Sequence, residues 1–124
     1  MPSTNQFVAV ACGPEWFAAK VYDADAGKKI IKVEYMYSED KKHFYFKSED
    51  DISYEGIVWE SVSNVLCFLP EPDMVEPSKS RRFKTNSVLS RDFIFSVFPE
   101  ESIQEASKKF KQFRSEQRKR LCPN

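Results

Sequence analysis

The chain has 124 residues and a formal net charge of zero, with 19 basic and 19 acidic side chains. This length is typical of one domain with one hydrophobic core, and 41% hydrophobic with 31% charged residues is the balance of a globular protein. Three Gly, three widely separated Cys and a single His argue against a glycine-rich phosphate loop, a disulfide framework and a zinc motif.

The zero net charge conceals an asymmetry along the chain. Residues 1–76 contain 7 Lys and Arg against 14 Asp and Glu, whereas residues 77–124 contain 12 against 5. An acidic body with a basic tail suggests that the tail meets nucleic acid or an acidic partner. The alternative is that the two halves neutralise each other within one fold.

The cellular location is inferred from what the sequence lacks. No apolar run approaches the roughly 18–20 residues needed to cross a membrane. Residues 1–6 do not read as a signal peptide, and the unpaired cysteines are typical of a reducing compartment. We therefore expect a nuclear or, alternatively, a cytoplasmic protein with no membrane association.

The first seventy residues predict short strands joined by tight turns. Aromatic residues, which favour strands, make up 15% of the chain. Strands are expected at 7–12, 16–22, 28–37, 43–47, 52–54 and 65–69, with Gly27 supplying a positive φ in the second turn and a short turn at 59–63. This spacing indicates a small barrel or sandwich of five or six strands.

The remainder of the chain changes character after two prolines. Pro70 and Pro72 end the strand set, residues 73–79 read as a polar linker, and 81–83 and 92–98 alternate as strands. From residue 99 a helical period begins, with Ser102 and Glu105 as a candidate capping box. The apolar stripe of this helix is Ile103, Ala106, Phe110 and Phe113. We therefore predict a mainly β fold with a barrel over 7–72, a linker and extra strand over 73–98, and a basic amphipathic helix over 99–121.

Catalytic chemistry finds few candidate residues. His43, the only histidine, has no evident nucleophile or orienting carboxylate in the sequence pattern, and the acidic clusters at 38–40 and 48–50 read as solvated turns. No nucleotide-binding, hydrolase or metalloprotease motif occurs. The sequence thus predicts a protein that is not an enzyme and that has no catalytic residue, metal or cofactor.

Residues 7–69 carry a more specific pattern. Trp16-Phe17 opens the second strand, a small-residue run Ala18-Ala19-Lys20-Val21 follows, and Lys32-Val33-Glu34-Tyr35 forms the next strand. This order resembles the Tudor-like branch of the SH3-like small barrels. The resemblance implies an SH3/Tudor-like barrel that serves as a binding module.

The wider layout resembles one particular small-barrel module. The relevant segments are Lys32–Tyr37, Phe44–Phe46, Glu49–Ile52, Val65–Pro72 and Phe93–Phe95. They are similar to a module of transposon-derived and chromatin-associated animal proteins, which reads V-x-Y/F, F-x-F-P-x-x-E-D, I-x-x-x-L-P-x-P and F-x-F before a helix. Here Lys47 stands where that module often has proline, and the helix is basic rather than acidic.

The Tudor resemblance implies a candidate aromatic cage. Tudor domains bind methylated Lys or Arg because aromatic ring faces attract a cation that is easily desolvated. Transferred by position, the cage comprises Phe17, Tyr35 and Tyr37, with Trp16 or Tyr45 replacing the aromatic that the first strand lacks at Cys12. The alternative is that these aromatics fill the core, as strand aromatics usually do.

Two basic stretches are candidates for binding nucleic acid. The first contains Lys79, Arg81, Arg82 and Lys84, and the second, on the helix, contains Lys108, Lys111, Arg118 and Arg120. A helix can dock its apolar face on the barrel and offer these cations to phosphates. The alternative is an ordinary solvated polar face.

Three hypotheses for the function follow. The first is a Tudor-like reader or chromatin-associated adaptor that recognises a basic or methylated peptide such as a histone tail. The second is an SH3-like barrel that binds nucleic acid through its basic helix, and the third is a scaffold that forms homo-oligomers through that helix. The acidic body favours the first, because it attracts a basic peptide and repels a phosphate backbone.

Overall fold

The computed structural model describes residues 2–75 and 94–121, and side chains as far as Arg118.

The sheet begins with a tight hairpin. Strands β1 (Phe7–Cys12) and β2 (Glu15–Asp25) pair antiparallel from Phe7 opposite Lys20 to Cys12 opposite Glu15. Gly13 adopts a φ of 60°, which suits the first central position of a two-residue hairpin turn and which a side chain would disfavour.

Three further strands extend this hairpin to a five-stranded antiparallel sheet. They are β3 (Ile30–Tyr35), β4 (Ile57–Ser61) and β5 (Val65–Leu69), and the strand order is β4-β3-β2-β1-β5. A short 3-10 turn, Val62–Asn64, connects β4 at one edge of the sheet to β5 at the other, and these two strands run in the same direction. One extra residue interrupts the pairing at two places: Leu66 of β5, opposite Ala9 and Val10 of β1, and Tyr22 of β2, opposite Lys32 and Val33 of β3. Such bulges bend a strand and increase its twist.

Both faces of the sheet are covered, because alternate residues of β1 and β2 are apolar on either side. Val8 and Val10 belong to one buried cluster, which also receives Val58 from β4 and Val65 from β5. Ala9, on the opposite face, belongs to a second cluster with aromatic and aliphatic residues of the loops and the helix. Because successive residues of a strand point to opposite faces of the sheet, the apolar residues of β1 and β2 contribute to two separate cores.

A two-stranded sheet and a helix follow the five-stranded sheet. Strands β6 (Asp73–Val75) and β7 (Phe95–Val97) pair antiparallel, and helix α1 spans Glu100–Leu121. Helix α1 packs its apolar stripe on the second cluster through Ile103, Ala106 and Phe110. The predicted mainly β fold with one C-terminal helix is confirmed, and the helix is part of the folded unit. No helix in the described ranges is long and apolar enough to cross a membrane.

Several local predictions are wrong. A turn was expected at 59–63, but most of that segment belongs to strand β4. The sequence did not predict this strand because Ile57 and Trp59, on an edge strand, are apolar yet exposed. The strand expected at 43–47 makes only isolated bridges, between Tyr37 and Tyr45 and between Phe44 and Ser96, and no strand forms at 52–54.

Turns and caps also differ from expectation. The positive φ in the turn after β2 falls on Lys29, at 56°, and not on Gly27. Because α1 already begins at Glu100, Ser102 lies inside the helix and cannot cap it. Residues 73–75 of the expected linker form β6 because they find a partner in β7. The strand predicted at 81–83, and the first part of the one predicted at 92–98, lie outside the described residues.

Candidate functional site: an acidic aromatic cleft

An open cleft lies at the end of the sheet where β2 begins and β3 ends. Its volume is about 750 Å³. The start of β2 contributes Trp16 and Phe17, the residues after β3 contribute Tyr37, and the loop over 38–53 closes the far side with Phe44 and Tyr45. We refer to this feature as the acidic cleft. Four of the five predicted cage residues line it: Trp16, Phe17, Tyr37 and Tyr45.

The aromatic walls of the acidic cleft hold one another in place. The Phe17 ring meets the Tyr37 ring edge-on at 5.8 Å between centroids, and Tyr37 lies 6.4 Å from Tyr45. Backbone hydrogen bonds join the same segments, since the Tyr37 N–H donates to the Tyr45 carbonyl at 2.7 Å and the Tyr45 N–H donates back at 2.9 Å. These contacts fix the ring faces before any ligand arrives.

Tyr35 does not belong to this wall. Its ring is only 8% exposed, it packs with Val33 and Ile31 in the first buried cluster, and its hydroxyl donates to Glu60 Oε2 at 2.6 Å. Glu60 also accepts from Asn64 Nδ2 at 2.7 Å. Tyr35 therefore ties β3 to β4 and the 3-10 turn. Its ring meets Phe17 edge-on at 5.8 Å but does not itself line the acidic cleft.

Carboxylates surround the aromatic rings. Four carboxylates line the acidic cleft: Glu15, Glu39, Asp50 and Asp51. Only two cationic side chains, Lys41 and Lys47, line it with them. Hydrogen bonds from the Ser53 hydroxyl and backbone N–H, with help from the charge of Lys47, hold the pKa of Asp51 below its usual value. Burial and then the charge of Glu55 raise the pKa of the Tyr37 hydroxyl, and burial and then Glu39 raise that of Tyr45. The negative potential therefore reaches the rings themselves.

Two lysine side chains of the chain itself lie against aromatic rings of the cleft, where the potential is negative. Lys47 Nζ lies 3.8 Å from the centre of the Tyr37 ring and donates to Ser53 Oγ at 2.7 Å. Lys41 Nζ lies 5.7 Å from the centre of the Trp16 ring. Both distances are within the range of cation–π attraction. The ring faces of the acidic cleft are therefore oriented and charged so that they hold ammonium groups.

A rigid turn positions the loop that carries Glu39 and Lys41. Asp40 Oδ1 accepts hydrogen bonds from the backbone N–H groups of Lys42 and His43, both at 2.8 Å, and Asp40 Oδ2 lies 2.7 Å from His43 Nδ1. The His43 ring in turn meets Phe95 edge-on at 5.4 Å. Although partial burial raises the pKa of Asp40, the two backbone donors and His43 outweigh it and hold that pKa far below its usual value.

We expect Asp40→Asn to lower the free energy of unfolding at neutral pH by no more than about 1 kcal/mol, because the carboxylate is 46% exposed and screened. A depressed pKa contributes stability above the ordinary Asp pKa of about 3.9, and this contribution disappears as the pH falls towards the folded-state pKa. Urea unfolding at a series of pH values should therefore show the two proteins converging below about pH 4. A difference that stays constant into strong acid would contradict this role of the Asp40 charge.

A second depression lies between Trp16 and helix α1. Its volume is about 500 Å³, and its cations are Lys111, Arg114 and Arg118. Arg114 Nη1 donates to the Pro14 carbonyl at 3.3 Å, and its guanidinium lies 5.8 Å from the centre of the Phe110 ring. We refer to this feature as the basic groove. Two of its residues, Lys111 and Arg118, were predicted to bind nucleic acid. The third cation, Arg114, was not predicted, because its position depends on the docking of α1 beside the β1–β2 turn.

Of the other predicted basic residues, only Lys108 has a described side chain, and it does not line this groove. Lys108 is exposed elsewhere on α1. The side chain of Arg120 and the whole of Lys79, Arg81, Arg82 and Lys84 lie outside the described residues.

Two of the three thiols lie in the described part of the chain. Cys12 and Cys67 are free, and burial is the main reason that the pKa of each thiol is raised, which disfavours the reactive thiolate. Within the described ranges, no three His, Cys, Asp or Glu side chains are grouped as metal ligands would be.

Comparison with protein-family models, curated proteins and solved structures finds no match to this chain. Its function is therefore inferred from the geometry of its own residues.

Proposed function

We propose that this chain is a non-catalytic interaction module whose acidic cleft binds a lysine or methylated lysine of a protein partner. The observation that carries the proposal is the contact between Lys47 Nζ and the Tyr37 ring at 3.8 Å, in a cleft with four carboxylates. An ammonium carried by a partner would find the same ring face and the same negative potential. A lysine-rich tail such as that of a histone has the required chemistry, and a nuclear location would follow from such a partner.

We further infer that the sheet closes into a small barrel of the SH3/Tudor type. The strand order β4-β3-β2-β1-β5 and the 3-10 turn between β4 and β5 support this. So does the first buried cluster, because Val58 from one edge strand and Val65 from the other pack against the same face of β1–β3. In a barrel of this type, the acidic cleft would open at one end of the strands.

Methylation would favour binding for a physical reason. A quaternary ammonium keeps its charge but gives up the tight hydration of a primary ammonium, so that less desolvation opposes its contact with a ring. The carboxylates of Asp50 and Asp51 supply long-range attraction without having to accept a hydrogen bond from the ligand. The acidic cleft therefore suits a methylated lysine at least as well as an unmodified one.

The test is Tyr37→Leu, which keeps apolar bulk but removes the ring. We expect about a tenfold loss of affinity for a lysine-rich peptide carrying trimethyl-lysine, since a cation–π contact contributes roughly 0.5–2 kcal/mol. Tyr37→Phe keeps the ring face and should bind as the original chain does. Fluorescence anisotropy with a labelled peptide measures both, and Trp59→Ala, which removes an exposed ring outside the cleft, is the matched control.

The companion variant Lys47→Gln removes the intramolecular competitor. If a peptide lysine takes the place of Lys47 Nζ on Tyr37, this variant should bind the peptide more tightly, by about the same factor that Tyr37→Leu loses. Unchanged affinity in both Tyr37→Leu and Lys47→Gln would overturn the proposed use of the cleft.

Of the two other hypotheses, assembly into homo-oligomers through α1 has less support. The apolar residues Ile103, Ala106 and Phe110, which a second copy would need, pack against the sheet of their own chain. A binding role for the cations of α1 is a separate matter, because the basic groove faces outward.

A further inference from the structure

The acidic cleft and the basic groove share one wall. Trp16 lines both, and its indole Nε1–H donates to Ser107 Oγ of α1 at 3.2 Å. On one side of this indole lie the cleft's carboxylates, and on the other lie the three cations of the groove. Surfaces of opposite charge therefore meet at a single, fixed side chain.

The cations of the basic groove act together. Lys111, Arg114 and Arg118 are spaced at intervals of three and four residues, so they lie along one face of α1. Among the described residues, only Asp40 with His43 and Glu105 with Lys109 form ion pairs, so the charges of these three cations are not neutralised by a neighbouring carboxylate. Arg114 is oriented by Pro14 and Phe110, and it has no carboxylate partner in the part of the chain that the structure describes.

We propose that the basic groove is a second subsite of the same module and takes an anionic side chain, a carboxylate or a phosphorylated serine, from the peptide whose lysine enters the acidic cleft. This inference rests on the proposed function, because the peptide is anchored by its lysine. The ligand class is then a peptide of mixed charge, with an acidic or phosphorylated residue at a fixed distance from a lysine.

The charge pattern favours such a peptide over a nucleic acid. A nucleic acid presents a continuous row of phosphates, and a strand running along the groove would continue past Trp16 into the carboxylates of the cleft. Like charges within a Debye length, about 8 Å at physiological salt, repel with little screening at a partly buried surface. A peptide can reverse its charge from one residue to the next and so satisfy both surfaces.

The experiment compares three labelled peptides of otherwise identical sequence. One carries trimethyl-lysine alone, one adds glutamate, and one adds phosphoserine, with the added residue moved stepwise away from the lysine. We expect the second and third peptides to bind more tightly than the first at one separation, by about tenfold for phosphoserine and less for glutamate, as befits exposed charge pairs. Lys111→Gln with Arg118→Gln should abolish that gain and leave the affinity for the first peptide unchanged.

The control is Lys28→Gln with Lys108→Gln, which removes the same charge from exposed positions that line neither feature. It should retain the full gain. If all three peptides bind with equal affinity at every separation, this inference fails while the proposed function stands. If no peptide binds, the proposed function itself fails. If single- or double-stranded DNA or RNA binds instead, with a steep salt dependence that Lys111→Gln with Arg118→Gln reduces, the groove belongs to a nucleic-acid site and the inference is overturned.

Discussion

Phe44→Ala should lower the free energy of unfolding by about 3–5 kcal/mol, the usual cost of deleting a buried phenylalanine ring. The Phe44 side chain is 2% exposed and contacts Phe98 at 5.4 Å and Trp16 at 6.3 Å between ring centroids. Its ring therefore joins the loop over 38–53 to β2 and to the segment that leads into α1. For a domain with a total stability of roughly 5–15 kcal/mol, such a loss lowers the melting temperature by about 10 °C or more.

The matched control for this prediction is Phe68→Ala. Phe68 is 53% exposed on β5, and its truncation should change the melting temperature by only a few degrees. Both variants keep their backbone hydrogen bonds, so circular dichroism on heating compares the two side chains directly. Similar melting temperatures for Phe44→Ala and the original chain would show that the loop does not depend on this ring.

Ala106→Glu should be about as destabilising, by roughly 3 kcal/mol or more, because it buries a carboxylate without a partner. The Ala106 side chain is fully buried where α1 crosses the sheet, beside Leu69 and Phe98. Helix propensity cannot explain such a loss, since Glu is only slightly poorer than Ala in a helix. Urea unfolding gives the magnitude, and an apolar dye should bind more strongly as α1 separates from the sheet.

Gln104→Glu places the same charge two residues earlier, on the exposed face of α1. It should leave the unfolding midpoint almost unchanged. If Ala106→Glu instead kept full stability and converted a dimer into a monomer, the apolar stripe of α1 would be an assembly surface, contrary to its packing on the sheet.

Much of the scaffold could be predicted because periodicity reflects burial directly. The alternation at Ile31 and Val33 indicated β3, and the spacing of Ile103, Ala106 and Phe110 indicated α1 and its buried face. Strand β4 was not predicted because it lies at a sheet edge. There Ile57 and Trp59 are apolar but face solvent, so apolar and polar residues do not alternate with burial. The segment 43–47 alternates equally well, but its pairing is limited to single bridges.

The site was harder to predict, because tyrosines with the same sequence pattern occupy different places. Tyr35 and Tyr37 are two residues apart and would share one face of a continuous strand. Both rings meet Phe17 at 5.8 Å between centroids, but Tyr35 is only 8% exposed and its hydroxyl donates to Glu60, whereas Tyr37 lines the cleft. The basic groove depends on a contact between Trp16 and Ser107, which are 91 residues apart, and no local pattern predicts such a contact.

The position of Trp16 also has a spectroscopic consequence. Its indole is 6% exposed and borders the acidic cleft and the basic groove at once, whereas the other tryptophan, Trp59, is 48% exposed on β4 and contacts neither. Intrinsic emission thus combines a buried, short-wavelength fluorophore at the junction of the two surfaces with a solvated, long-wavelength one outside them. A chain carrying Trp59→Phe retains only the first, and its emission wavelength and quenching report, without any attached label, on what occupies either side of the indole.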